Sequence, residues 1–186
     1  MSEAVNALFA ETGSAHAIVL DAQEKTARYE EIAPFIRGIL ADDTASALAL
    51  MSSVLSVLHN SFDSFFWTGF YRRIDTDTLE VGPNQGTMGC THIKFGKGVC
   101  GTVATTEKTK IVADVHAEPN HIGCDSLSQS EIVVPLFVSG KLAAVLDVDS
   151  TQLGAFCDVD RRYLEQLMAM LGEALERLDL SGVIAF

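Results

Sequence analysis

The stretch Ser130-Glu131-Ile132-Val133-Val134-Pro135-Leu136-Phe137-Val138-Ser139-Gly140-Lys141-Leu142-Ala143-Ala144-Val145-Leu146-Asp147-Val148-Asp149-Ser150 decides the fold class. Two apolar, β-branched runs flank Ser139-Gly140, a dipeptide suited to a two-residue hairpin turn. The reading is a pair of antiparallel strands, Glu131 to Val138 and Leu142 to Ser150. Because strand side chains alternate, Asp147 and Asp149 are expected on the same face as Ala143 and Val145. Neighbouring carboxylates repel, and partial burial raises at least one pKa, which prepares a carboxyl group to donate a proton or hydrogen bond to a bound oxygen. Spacing alone favours the plainer reading, a solvated strand end.

Working outward, Phe65 to Ile74 is crowded with aromatic and β-branched residues, and Asp75-Thr76-Asp77 turns the chain towards Thr78 to Val81 as a second hairpin. Cys90 to Phe95 reads as a further strand. Gly96-Lys97-Gly98 is a turn that opens a helix from Val99 to Thr106, and Lys110 to Asp114 reads as a strand. Before the sheet, Tyr29, Ile32, Phe35, Ile36, Ile39 and Leu40 recur at helical spacing, with Pro34 expected to kink or restart the helix. Asp43 is expected to cap a second helix with a stripe of Leu48, Met51, Val54, Leu55 and Leu58. An amphipathic helix from about Asp158 closes the pattern, with Tyr163, Leu164, Leu167, Met168, Leu171, Leu175 and Leu178 on one side. The predicted class is α+β: one domain over residues 25–180, a mostly antiparallel central sheet with N- and C-terminal helices packed on it. Residues 1–24, small and polar apart from Leu8, Phe9 and Ala17 to Leu20, read as a loosely attached extension.

Composition narrows the function classes. With 186 residues, 48% of them hydrophobic, the chain buries a core without covalent staples. No apolar run is long enough to span a membrane and no secretory or organellar address is visible, so the expected location is the cytoplasm. A net charge of -12 without a basic cluster argues against nucleic acid and acidic membranes as partners. In a cytoplasmic chain, four cysteines point to reactive thiols or a metal site rather than structural disulfides.

Val115 to Ser130 is long for a patternless connection, and it is not composed like a linker. It carries His116, His121, Cys124 and Asp125, with Glu131 just beyond, where a scaffold leaves such groups accessible. Cys90 and Cys100 flank the Gly96-Lys97-Gly98 turn. A helix N-terminus could activate Cys100, or the core could simply bury it. Trp67 and Tyr71 share a strand face with Gly69 between them, so they form either core or the wall of a small apolar pocket.

These elements carry a specific resemblance. Phe66-Trp67-Thr68-Gly69-Phe70-Tyr71, Gly82-Pro83-Asn84-Gln85-Gly86, Gly96-Lys97-Gly98-Val99-Cys100-Gly101, Asp114-Val115-His116, His121-Ile122-Gly123-Cys124-Asp125, Ser130 to Leu136 and Leu146-Asp147-Val148-Asp149-Ser150 resemble, in order, the free methionine-(R)-sulfoxide reductases. These are stand-alone GAF-domain enzymes. The similarity runs from about Tyr29 to Leu178.

The resemblance implies reduction of free L-methionine (R)-sulfoxide with no cofactor and no metal. It assigns Cys124 as the nucleophile, Cys90 as the main resolving thiol and Cys100 as a second or alternative partner. Glu131, Asp147 and Asp149 would hold the sulfoxide oxygen and the substrate ammonium group, which reverses the plain reading of the Asp pair. Trp67 and Tyr71 would enclose the methyl-bearing end. A thioredoxin-like reductant is the implied partner, and association into a homodimer is left open. Cys157 has no matching thiol in the family and reads as a helix cap.

Two other readings compete with this one. A GAF module that binds a small ligand or senses oxidants would not need three cysteines with an acidic trio. A zinc site drawn from His92, His116, His121, Cys90, Cys100 and Cys124 lacks the spacing of common zinc ligands.

Overall fold

The computed structural model describes residues 17–185. Six strands, β1 (Trp67–Arg73), β2 (Thr78–Gln85), β3 (His92–Lys94), β4 (Lys110–Val112), β5 (Ser130–Val138) and β6 (Lys141–Ser150), form one antiparallel sheet in the order β3-β2-β1-β6-β5-β4. Four helices accompany it among the described residues: α1 (Ala22–Leu40), α2 (Ala47–Ser61), α3 (Gly98–Thr106) and α4 (Asp158–Leu175). The expected α+β class holds. None of these helices is long and apolar enough to cross a membrane.

The central hairpin closes through Ser139 and Gly140 at φ 50° and 72°, the left-handed geometry that a tight two-residue turn demands. Alternation then splits the side chains between two cores. Phe70, Ile132, Val134, Leu136, Leu146 and Val148 pack with α1, α2 and α4, while Trp67, Tyr71, Val133 and Val145 pack with Val99, Cys100 and Val103 of α3. Ala143 departs from the expected face because Leu136 pairs with Ala144 and Phe137 with Leu142. It is the extra residue of a bulge, and it packs on the three-helix side.

Several expectations shift by a turn. Pro34 neither breaks nor restarts α1, which runs unbroken through it. Pro34 is exposed, so its missing N–H falls on the solvent side of the helix. The buried stripe is Tyr29, Ile32, Ile36 and Leu40, and Phe35 is 67% exposed at its margin. Asp43 is not the cap of α2. Asp42 instead binds the Thr44 N–H and hydroxyl, which tightens a turn and delays the start of the helix until Ser46 accepts from the Ala49 N–H. Leu50 therefore takes the buried place expected of Leu48. β2 is longer than predicted, because Asn84 and Gln85 still pair with Gly69 and Thr68, whereas β3 is only His92–Lys94.

Of the expected extension, residues 1–16 lie outside the described residues, Leu8 and Phe9 among them. Asp21 caps α1 by accepting from the Gln23 and Glu24 N–H groups, and Glu24 accepts from the Asp21 N–H in return. One turn later Lys25 is buried, and its ammonium donates to Asp160 and to the Ala155 carbonyl. Asp160 also accepts from the Tyr29 hydroxyl and the Cys157 N–H, so this buried pair ties the first helix to the start of the last. Cys157 stands at the N-cap of α4 as expected.

Candidate active site

The sheet face under α3 places the predicted residues in register. Glu131 on β5 pairs with Asp149 on β6, which pairs with Trp67 on β1. One step along, Val133 pairs with Asp147, which pairs with Gly69. Directly paired antiparallel residues share a face, so three adjacent strands bring the acids beside the aromatic side chains. A Cβ at Gly69 would lie 2.3 Å from the Trp67 ring, so glycine lets the indole lie flat over the strand and reach Tyr71, with ring centroids 5.6 Å apart. The indole N–H donates to the Thr87 carbonyl at 3.0 Å, which fixes the wall.

Trp67, Tyr71, Gly89, Val99, Cys100, His121, Cys124, Asp125, Ser128 and the three acids line a cavity above this face. Its floor is acidic, with Glu131 and Asp147 buried and Asp149 half-buried. Burial, reinforced by the negative charges of Asp147 and Asp149, pushes the Glu131 carboxyl well up. Burial likewise pushes Asp147 up to about 7 against the opposing effect of the Cys100 thiol, and Asp149 is raised by burial and then by Asp147. All three shifts favour the protonated carboxyl over the carboxylate. Ser128 donates to Asp149, while Asp147 Oδ1 is buried without a hydrogen-bond partner. That oxygen, beside the Glu131 carboxyl, keeps hydrogen-bonding capacity for a polar ligand atom.

The cysteines separate into two environments. Cys90 and Cys124 form a disulfide, with Cα atoms 5.3 Å apart, at the partly accessible side of the cavity. Cys100 is buried in α3 and donates its thiol proton to Asp147 Oδ2 at 3.2 Å. Of its two sequence readings the second prevails, because burial, then Asp147 and Glu131, push its pKa well above the usual thiol value. His121 lines the cavity, and burial lowers its pKa, with a further lowering from His116.

The six zinc-ligand candidates do not converge as a set: Cys90 and Cys124 are joined to each other, and His92 faces Glu80 at 3.3 Å. The donors that do converge among the described residues are Cys100, Glu131 and Asp147, whose ligand atoms lie within 4.8 Å of one another. Two polar residues were not singled out by sequence. Ser128 reads as an ordinary loop hydroxyl until its contact with Asp149 is seen. Thr87, buried beside the Trp67 edge, donates to Asp125 Oδ2 at 2.5 Å, and nothing in its local sequence marks it.

Comparison with known proteins identifies the family. Residues 44–176 match the GAF domain family. The free methionine-R-sulfoxide reductase of Escherichia coli is 39% identical over 87% of this chain and 96% of its own length. A GAF domain-containing protein A of Dictyostelium discoideum is 45% identical over 79% and 92% of the two chains. The structure of the free methionine-R-sulfoxide reductase from Neisseria meningitidis in complex with its substrate superposes with a TM-score of 0.78 at 43% identity, covering 87% of this chain and 96% of that one. The chain therefore belongs to the free methionine-R-sulfoxide reductase family of GAF-domain proteins.

Proposed function

We propose that the chain reduces free L-methionine (R)-sulfoxide to methionine, with Cys124 as the nucleophile. The observation that carries this reading is the orphan Asp147 oxygen facing a cavity that also contains Cys124 and is walled by Trp67 and Tyr71. A protonated carboxyl on this floor donates to the sulfoxide oxygen and makes its sulfur electrophilic. The Cys124 thiolate attacks that sulfur, the S–O bond breaks towards Cys124, and methionine departs with Cys124 left as a sulfenic acid. Cys90 then condenses with it, releasing water and forming the disulfide, and a thioredoxin-type dithiol restores both thiols. Cys100, held by Asp147, serves as a reserve thiol. The stacked aromatic wall takes the methyl end and the acids take the oxygen and ammonium, so the R epimer is favoured and a peptide has no exit.

Turnover of the separate R and S sulfoxides in a thiol-reducing system, with methionine quantified, tests the reading. Wild-type protein is expected to consume only the free R epimer, Cys124→Ser to form no methionine, and Cys90→Ser to release about one methionine per chain before stalling. Equal single-turnover yields from the two variants would overturn the roles. Absence of methionine from the wild type would overturn the reaction.

A further inference from the structure

The loop that carries Cys124 has few anchors. From Ala117 to Cys124 its described backbone N–H bonds reach only carbonyls within the segment from Asp114 to Ile122. Asn120 ties its middle to the start of α3 by donating to the Gly96 and Gly98 carbonyls, and Glu118 accepts from Lys110 of β4 at 2.8 Å. The Cys90–Cys124 bond is a third tether, and it must open in every catalytic cycle of the reaction proposed above.

A fourth tether runs alongside that disulfide. Thr87 precedes Cys90 and Asp125 follows Cys124, and the Thr87 hydroxyl donates to Asp125 Oδ2 at 2.5 Å. Both ends are preset. Asp125 Oδ1 accepts the Leu127 N–H at 2.8 Å, which orients the carboxylate, and the Thr87 carbonyl accepts the Trp67 indole, which fixes its backbone. Thr87 is buried and does not line the cavity.

We infer that the Thr87–Asp125 hydrogen bond is a clasp that keeps the Cys90 and Cys124 segments in register while their disulfide is open, which makes Thr87 a positioning residue for the resolving step. This inference rests on the proposed reaction. In that step the Cys90 sulfur bonds to the Cys124 sulfenic sulfur, the S–O bond breaks, and the hydroxyl leaves as water with the thiol proton. Its rate depends on the effective concentration of one sulfur at the other, which the clasp raises by limiting the freedom of the loop.

The test uses the full chain with Thr87→Val, which removes the hydroxyl but keeps its shape and the backbone carbonyl that holds Trp67. In a single turnover of pre-reduced protein with free methionine (R)-sulfoxide, the methionine burst is expected at the wild-type rate. Disulfide formation is expected to slow roughly tenfold, the scale of one hydrogen bond to a charged acceptor, with more sulfenic acid captured by a dimedone-type trap. Thr87→Ser is expected to restore the wild-type rate. Disulfide formation at the wild-type rate in Thr87→Val would overturn the clasp, as would a methionine burst slowed to the same degree, since that places Thr87 in substrate binding. Equilibration against a dithiol buffer needs no substrate, so it separates failure of the clasp from failure of the reaction. There the Thr87→Val disulfide should be reduced about tenfold more readily, and an unchanged equilibrium would overturn the proposal.

Discussion

Trp67 and Asp149 stand opposite each other in register on β1 and β6, and both line the same cavity. An apolar wall and an acidic floor are thus neighbours by strand pairing, so anything that disturbs the register disturbs both.

Trp67 is the only tryptophan, so its emission reports directly on the cavity. With the disulfide closed, the free volume is about 40 Å³. That is room for roughly three waters and too little for methionine sulfoxide. Free methionine (R)-sulfoxide is expected to change Trp67 fluorescence in the reduced protein only. An equal, saturable response from the disulfide form would show that the closed cavity admits ligand.

Gly69→Val places new atoms where a Cβ alone already lies 2.3 Å from the Trp67 ring and 2.7 Å from the Asn84 side chain. The expected result is a loss of roughly 2 kcal/mol in urea unfolding together with a raised KM. Gly38→Ala, with nothing within 4 Å of the new atom, is the comparison: it should keep the wild-type KM and, inside α1, gain about 0.5–1 kcal/mol. A wild-type KM for Gly69→Val would show that the indole is free to shift.

Asp147 binds its proton more tightly in the folded chain, where its pKa is about 7, than at its ordinary 3.8. The folded state therefore holds more protons than the unfolded state between those values, so its contribution to stability is complete at low pH and is lost as pH rises through the window. Asp147→Asn, which mimics the protonated form, should be more stable than wild type at pH 8 by roughly 2 to 4 kcal/mol and flatten the pH dependence. Denaturant midpoints measured across pH check this, and parallel curves for the two proteins would refute it.

The same proton gives an activity profile. If the protonated floor polarises the sulfoxide, kcat falls as pH rises through about 7, and Asp147→Ala costs on the order of a hundredfold in kcat at pH 6. A kcat that climbs steadily to pH 9 would count against acid assistance, since it would report thiolate formation alone.

Lys25→Met leaves the Asp160 charge buried without its cation and should cost roughly 3 to 5 kcal/mol in urea unfolding. Its turnover at low temperature should match wild type, because the pair joins α1 to α4 on the face away from the cavity. A stability loss below about 1 kcal/mol would mean that water replaces the ammonium.

The sequence by itself determined the class and the sheet: alternation in Ser130–Ser150, the Ser139-Gly140 turn and the helical stripes are local signals, and local sterics enforce them. It also placed Asp147 and Asp149 on one face, because a strand has no other option. Tertiary structure decided which side of the sheet became the site, since both faces of β5 and β6 are buried and only the packing of α3 and the Val115–Gln129 loop distinguishes them. It also joined Cys90 to Cys124 rather than to Cys100, and drew Thr87 to Asp125 and Ser128 to Asp149, contacts between segments far apart in the chain. The physical reason is that pKa shifts, thiol pairing and hydrogen bonding depend on distance and burial, which the folded chain sets and no local pattern encodes.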